Sequence, residues 1–311
     1  MAERVDYDEF GLFHENAEEW GLNHDGRPAV GRQSVEVAPG RRLSALVWKD
    51  PPAQLVLLHG GAQNAHTWDT VAMALDRALV AIDLPGHGHS DGPGEVPAGG
   101  AGLERDAADV AGAVRALAPE AHAVVGMSLG GLTTIALAAH APEVVRKVVL
   151  VDVLPGIKGE RARHITDFVN RPPTFDSFDE LLELTVRFNP TRSVSSLRRG
   201  ILHNAVQQDD GTWIWRWARH GPRPTARAAN DPAAAQRLFE QLWQLLEAIT
   251  VPVMLVRGMR PDSVLGDEDE AELRRRLPSA RVVHVEAAGH SVQGDAPLEL
   301  AALIEEFVFG T

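Results

Sequence analysis

One serine stands among glycines directly after an apolar run, in the sequence VVGMSLGG at 124–131. Within it, Gly126–Gly130 fits the pattern G-x-S-x-G, which sets a serine on a sharp turn between a strand and a helix. Residues 121–127 are typical of a strand and residues 128–141 of a helix, as such a turn requires. The pattern therefore predicts that Ser128 is a nucleophile. The alternative is that Ser128 only caps the helix.

A serine nucleophile needs a base whose pKa lies near neutrality, and histidine is the side chain that meets this requirement. The chain has 13 histidines. His290, in AAGHSVQGD, stands between the last predicted strand and the last predicted helix, which favours it as the base. His87 and His89 follow an earlier strand in a glycine-rich loop and are interpreted as structural residues or residues at the rim of the site. Three more histidines lie in a segment inserted between two predicted strands, and their spacing predicts no metal site: His164, His203 and His220.

Short apolar strands alternate along the chain with predicted helices of 10–15 residues, a rhythm typical of a parallel sheet covered by helices on both faces. A hairpin over 34–48 precedes this rhythm, with its turn at Pro39-Gly40. The sequence therefore predicts an α/β fold with a mostly parallel sheet of about eight strands. After the hairpin, the predicted strands are 54–60, 79–84, 121–127, 146–152, 251–258 and 280–288, and the second of these runs into a glycine-rich loop.

Residues 157–245 interrupt the rhythm after the sixth strand and hold nine of the seventeen aromatic residues. An insertion here predicts a mainly helical cap over the carboxyl ends of the strands, where α/β sheets place ligands. The core would then consist of residues 1–156 and 246–311, with residues 1–33 as an N-terminal arm. In the segment DDGTWIWRW, every second residue is a tryptophan: Trp213, Trp215 and Trp217. These side chains either pack the cap or line a substrate pocket, which Trp68 would also border.

The composition excludes several classes of protein. With a net charge of −13 and scattered basic residues, the chain is not expected to bind nucleic acid. No apolar run approaches the roughly 18 residues of a membrane span, and the start MAERVDYDEF lacks the apolar core of a secretory signal, so we expect a cytoplasmic protein. The absence of cysteine excludes disulfides and thiol catalysis. No motif indicates a metal, flavin or nucleotide cofactor.

Several motifs in their order resemble those of the α/β-hydrolase fold family. They are the Leu58–Gly61 loop, the D-x-P-G-x-G-x-S pattern from Asp83 to Ser90, the turn at Ser128, the insertion and the late Gly-His. The resemblance covers residues 34–311. It implies that the main-chain N–H groups of Leu129 and Gly61 bind the oxyanion, with Ala62 as the alternative to Gly61, and that His59 holds its own loop.

The acid that orients the histidine has two candidate positions. The family most often carries it after the strand 251–258, where Asp262 falls one residue later than usual. A minority carries it after the strand that follows the nucleophile helix, and here that strand ends at Asp152. A carboxylate at the tip of a buried strand needs a partner, and a histidine would supply one. We therefore expect Asp152 to be the acid, with Asp262 as the alternative.

These residues together predict a serine hydrolase that needs no cofactor. Its substrate would be a carboxylic ester or lactone of an apolar small molecule, cleaved through an acyl-enzyme. The same triad also supports acyl transfer or cofactor-free C–C bond hydrolysis, and a non-enzymatic ligand receptor of the same fold would retain it. Relatives with an aspartate nucleophile are disfavoured because the residue at the turn is serine.

Overall fold

An eight-stranded sheet forms the centre of the molecule, in the order β1-β2-β4-β3-β5-β6-β10-β11. The first two strands pair antiparallel and the other six are parallel to one another. These strands are β1 (Val30–Ala38), β2 (Arg41–Trp48), β3 (Leu55–Leu58), β4 (Leu79–Ile82), β5 (Ala123–Met127), β6 (Val148–Val151), β10 (Val253–Gly258) and β11 (Arg281–Val285). The structure, a computed structural model, describes residues 4–23, 25–92, 102–156, 161, 163, 167–169, 171–220 and 232–310.

Helices cover both faces of the sheet, because successive side chains of each parallel strand point to opposite faces. In β3, for example, Val56 and Leu58 join one apolar cluster while Leu55 and Leu57 join the other. This two-sided burial confirms the predicted α/β class. The helices of the core are α1 (Phe13–Trp20), α2 (Asp69–Leu75), α3 (Gly102–Leu117), α4 (Leu129–His140), α8 (Asp267–Arg276), α9 (Val292–Asp295) and α10 (Pro297–Phe309).

The chain between β6 and β10 contains a small sheet of its own, ordered β7-β9-β8. Its strands are antiparallel, and the described part of the segment also contains three further α-helices. Within the described residues, these elements are β7 (Thr174–Phe175), α5 (Phe178–Phe188), α6 (Val194–Asn204), β8 (Ala205–Gln207), β9 (Trp213–Trp215) and α7 (Pro232–Glu247). We call this segment the cap. The small sheet is an addition to the mainly helical cap that the sequence predicts, and His164 lies outside the described residues.

The alternation of tryptophans in the cap ends earlier than its sequence pattern suggests. Trp213 and Trp215 lie in β9, whereas Trp217 belongs to a short 3-10 helix over Arg216–His220.

No helix among the described residues is long and apolar enough to cross a membrane.

Candidate active site

Ser128 lies between β5 and α4 with a strained backbone. Its φ of 50° and ψ of −116° fall outside the regions that residues other than glycine usually adopt. Such strain persists only where the surroundings impose it, and it is typical of functional sites. The Ser128 side chain makes no capping hydrogen bond to α4, so the simple N-cap interpretation has no support.

Two glycines let the strand and the helix meet closely enough to impose this turn. A Cβ atom at Gly126 would overlap the Gly130 carbonyl, and a Cβ atom at Gly130 would overlap the Leu58 carbonyl of β3. Neither position can therefore hold a larger residue without moving the backbone. The pattern G-x-S-x-G thus reflects a packing requirement around Ser128.

His290 and Asp152 meet at the carboxyl edge of the sheet. His290 lies in the loop between β11 and α9, and its Nδ1 is 2.9 Å from Oδ2 of Asp152. Asp152 directly follows β6, is fully buried and has a left-handed φ of 47°. The parallel order of β6, β10 and β11 brings these two residues together across 138 positions of sequence.

Three further donors satisfy the Asp152 carboxylate. Its Oδ1 accepts from the Gly258 N–H at 3.0 Å and from the Ser263 hydroxyl at 2.7 Å. Its Oδ2 accepts from the Val264 N–H at 3.2 Å. These bonds offset the loss of hydration that a buried carboxylate suffers. With both oxygens accepting, the carboxylate is arranged to receive the Nδ1 hydrogen of His290.

Asp262, the alternative acid, lies close to the same loop without taking this role. It is solvent-exposed and sits against the backbone of Gly289, where a Cβ atom would overlap its carboxylate. In the part of the chain that the structure describes, His290 pairs through Nδ1 with Asp152 and not with Asp262.

The loop His59–Asn64 stands beside Ser128. A Cβ atom at Gly60 would come within 3.3 Å of the Ser128 Cβ, and one at Gly61 within 3.9 Å of a Leu129 methyl group. Leu129 is the first residue of α4, where a main-chain N–H has no acceptor within the helix. The geometry therefore leaves the Leu129 N–H open for an oxyanion and sets Gly61 beside it.

Two histidines hold this loop in place. His59 Nδ1 donates to the Gly60 carbonyl at 2.7 Å, and its Nε2 accepts from the Leu84 N–H at 2.9 Å. His87 Nε2 accepts from the Ala62 N–H at 3.2 Å. Because this bond occupies the Ala62 N–H, Gly61 is better placed than Ala62 to serve as the second oxyanion donor.

The buried carboxylate of Asp83 also supports the loop His59–Asn64 and the residue after it, and its cationic partner was not identified from the sequence. Arg32 of β1 donates to it at 2.7 Å, as does the Ala65 N–H. Burial alone would raise the pKa of Asp83, but the Arg32 guanidinium and His59 outweigh burial and lower it. A Cβ atom at Gly88, whose φ is 52°, would overlap this carboxylate, which explains a glycine in the D-x-P-G-x-G-x-S pattern.

A second buried polar cluster lies where the arm, the core and the cap meet. The His66 and His203 rings stack in parallel with centroids 3.8 Å apart. His66 contacts Asp69 at 2.8 Å through Nδ1 and Glu9 at 3.0 Å through Nε2. Burial disfavours a charged imidazole here, yet Asp69 and Glu9 raise the pKa of His66 to about 9. Burial and the neighbouring His66 lower the pKa of His203 well below its usual value.

The same three side chains, His66, Asp69 and His203, are the kind that bind metal ions, and their ligand atoms lie within 4.8 Å of one another. The sequence positions of these three residues did not predict this cluster. The parallel rings, however, direct their in-plane lone pairs along separate planes, so one ring would have to rotate before both could bind one ion. The His66 contacts instead suit a protonated ring between two carboxylates.

The tryptophans predicted to border a substrate pocket are buried and pack against neighbouring side chains. Trp68 is fully buried in the core cluster that includes Phe13 and Leu57. Trp213 and Trp215 are each 5% exposed and pack edge-on against cap phenylalanines. The arrangement favours the packing interpretation, and a pocket-lining role of these three indoles stays a prediction.

A family model confirms the class of protein that the fold and this site define. Residues 55–303 match the alpha/beta hydrolase family, to which the chain therefore belongs. The chain is accordingly an enzyme of the hydrolase class.

Particular relatives support the same class. The chain is 41% identical over 304 residues to esterase Rv0045c of Mycobacterium tuberculosis, covering 96% of this chain and 94% of that protein. It is 29% identical over 279 residues to a 3-hydroxybutyrate-oligomer hydrolase of Cupriavidus necator, covering 86% and 94%. A crystal structure of Rv0045c matches 99% of this chain and 100% of its own, with 39% identity and a TM-score of 0.80.

Proposed function

We propose that this hydrolase is a serine esterase in which Ser128 is the nucleophile, His290 the general base and acid, and Asp152 the residue that orients His290. The observation that carries the proposal is the 2.9 Å contact between His290 and the buried Asp152, at the sheet edge where Ser128 stands on its strained turn. The similarity to a mycobacterial protein named as an esterase supports the ester as substrate class.

In the first step, Ser128 Oγ attacks the carbonyl carbon of the ester while His290 Nε2 takes the hydroxyl proton. The oxyanion that forms accepts hydrogen bonds from the N–H groups of Leu129 and Gly61. The C–O bond to the alcohol then breaks, and His290 returns its proton to the leaving oxygen.

In the second step, a water molecule gives a proton to His290 and attacks the acyl group on Ser128. The bond to Ser128 breaks, the serine recovers its hydrogen from His290, and the carboxylic acid leaves. Asp152 stays ionised throughout and stabilises the imidazolium that forms in each step. We propose an apolar acyl or alcohol group, because the half-buried apolar side chain of Leu129 lies beside Ser128 and Gly61.

The test is labelling of the purified protein with a fluorophosphonate, followed by mass spectrometry of the modified peptide. The probe reacts with an activated serine and does not require the natural substrate. We expect one label, on Ser128, that is lost in His290→Ala. Ser34→Ala, which removes an exposed hydroxyl on β1, serves as the matched control and should label fully. Unlabelled, folded wild-type protein would contradict the proposal and favour a ligand receptor.

A further inference from the structure

The cap reaches the His59–Asn64 loop through the end of helix α6. Asn204, the last residue of α6, donates its side-chain N–H to the Ala62 carbonyl at 2.6 Å. In return, Asn64 donates its side-chain N–H to the His203 carbonyl at 2.9 Å. The carbonyl acceptors fix the orientation of both amides, since only their nitrogens can donate. Cap and loop are therefore joined by a reciprocal pair of amide contacts.

The residue that Asn204 holds has a strained backbone. Ala62 has a φ of 60°, in the left-handed region that favours glycine. A residue keeps such a conformation only where its neighbours impose it. Both main-chain polar groups of Ala62 are held, the N–H by His87 of the core and the carbonyl by Asn204 of the cap. Without Asn204, only one of these two restraints would remain.

Helix α6 is itself fixed, so its last residue can serve as a support. Near its middle, the buried Arg199 forms ion pairs with Glu15 and Glu19 of α1. At its end, the hydroxyl of Tyr7 in the arm contacts His203 Nδ1 at 2.7 Å. The arm thus holds the helix on the core.

We propose that Asn204 is a positioning residue for the hydrolase reaction, holding the Ala62 carbonyl so that the Gly60-Gly61 peptides keep the N–H group of Gly61 directed at the oxyanion. The inference rests on the proposed function, because it assumes that this loop supplies an oxyanion donor. His59 holds one end of the Gly60–Gly61 peptide through the Gly60 carbonyl, but neither glycine has a Cβ atom to restrict its φ and ψ, so the orientation of this peptide also depends on the residue that follows Gly61. The site is complete only when α6 of the cap is docked on the loop.

The experiment compares Asn204→Ala and Asn204→Asp with wild type. Both variants remove the N–H that reaches Ala62, and the second keeps the size of the side chain. We measure kcat and KM for 4-nitrophenyl butyrate, and Ki for an alkyl trifluoromethyl ketone, which forms an anionic adduct with an active serine. Thermal unfolding establishes that each compared variant is folded.

We expect kcat to fall by roughly ten- to a hundredfold and Ki to rise by a similar factor, because both depend on the oxyanion donors. KM should change by less than about threefold, because the uncharged ester uses these donors weakly. The matched control is Asn189→Ala, since Asn189 caps the end of cap helix α5 and its side chain donates to the Thr185 carbonyl of that same helix. Its kcat and Ki should stay near those of wild type.

Two results would overturn the inference. One is an unchanged kcat and Ki in both Asn204 variants, and the other is a raised KM with kcat and Ki near wild type, which would assign Asn204 to substrate binding. Failure of the proposed function would look different. In that case the wild-type protein itself would hydrolyse no ester and form no adduct with the ketone, and the inference would fall with it.

Discussion

Replacement of Asp152 by asparagine is the sharpest perturbation of the proposed triad. The carboxylate accepts from two donors at each oxygen, whereas an amide offers one accepting oxygen and one NH2 group. If the NH2 replaces Oδ2, it faces the Val264 N–H and forces His290 to accept at Nδ1, which leaves the hydrogen on Nε2. If it replaces Oδ1, it faces the Gly258 N–H instead.

Both orientations carry a cost in stability and in rate. Each leaves one buried main-chain N–H facing another donor, which lowers the free energy of unfolding by about 1–3 kcal/mol. In the first orientation, the imidazole carries its hydrogen on Nε2 and cannot take the proton of Ser128. In the second, the imidazolium that forms lies beside a neutral amide and is poorly stabilised. We expect kcat to fall by about 10⁴-fold, equivalent to about 5.4 kcal/mol of transition-state stabilisation.

The assay is steady-state hydrolysis of a 4-nitrophenyl ester, with urea unfolding measured in parallel to separate lost catalysis from lost folding. Asp262→Asn is the matched control, because it makes the same change on an exposed carboxylate beside the same histidine loop. It should retain activity within about threefold. The assignment is refuted if Asp262→Asn loses several orders of magnitude in kcat while Asp152→Asn keeps more than a tenth.

Two further outcomes test the packing and the electrostatics around the site. Gly130→Ala should lower the free energy of unfolding by at least about 2 kcal/mol, because the added methyl group overlaps a carbonyl of β3. Gly200→Ala, in open space on α6, should instead raise the free energy of unfolding by up to about 1 kcal/mol. Chemical denaturation measures both changes. Since Asp69 and Glu9 raise the pKa of His66 in the folded protein from 6.5 to about 9, its stabilising contribution is fully present below pH 6.5 and is lost as pH rises through 9. His66→Gln should remove this loss, and equal pH slopes in wild type and variant would contradict it.

The parallel core was predictable because its strands are buried on both faces. A strand such as β6 must be apolar at every position, and this leaves an unbroken run in the sequence. Asp152 was accessible to the same reasoning, since a charged residue at the end of such a run needs a partner. The start of β1 was less evident: it begins at Val30 rather than at the predicted residue 34, because Gly31-Arg32-Gln33 breaks the apolar alternation.

The contacts that support the site could not be predicted, because each joins residues far apart in sequence. Arg32 meets Asp83 across 51 positions, and Asn204 meets Ala62 across 142. Neither arginine nor asparagine stands in a motif, and a left-handed alanine carries no local signal of its conformation. The short helix α9 was missed for a related reason, since four residues before a proline show no helical period.

The concentration of buried polar groups around the segment that follows β3 is itself informative. Replacing a buried ion pair by apolar residues is often neutral or stabilising, so such groups are a weak source of stability. Here the Arg32–Asp83 pair and the His66–Asp69 contact both fix the segment that follows β3, which contains the proposed oxyanion donor. Hydrogen bonds constrain direction more tightly than apolar contacts do. We infer that these buried charges serve to hold one loop in one geometry.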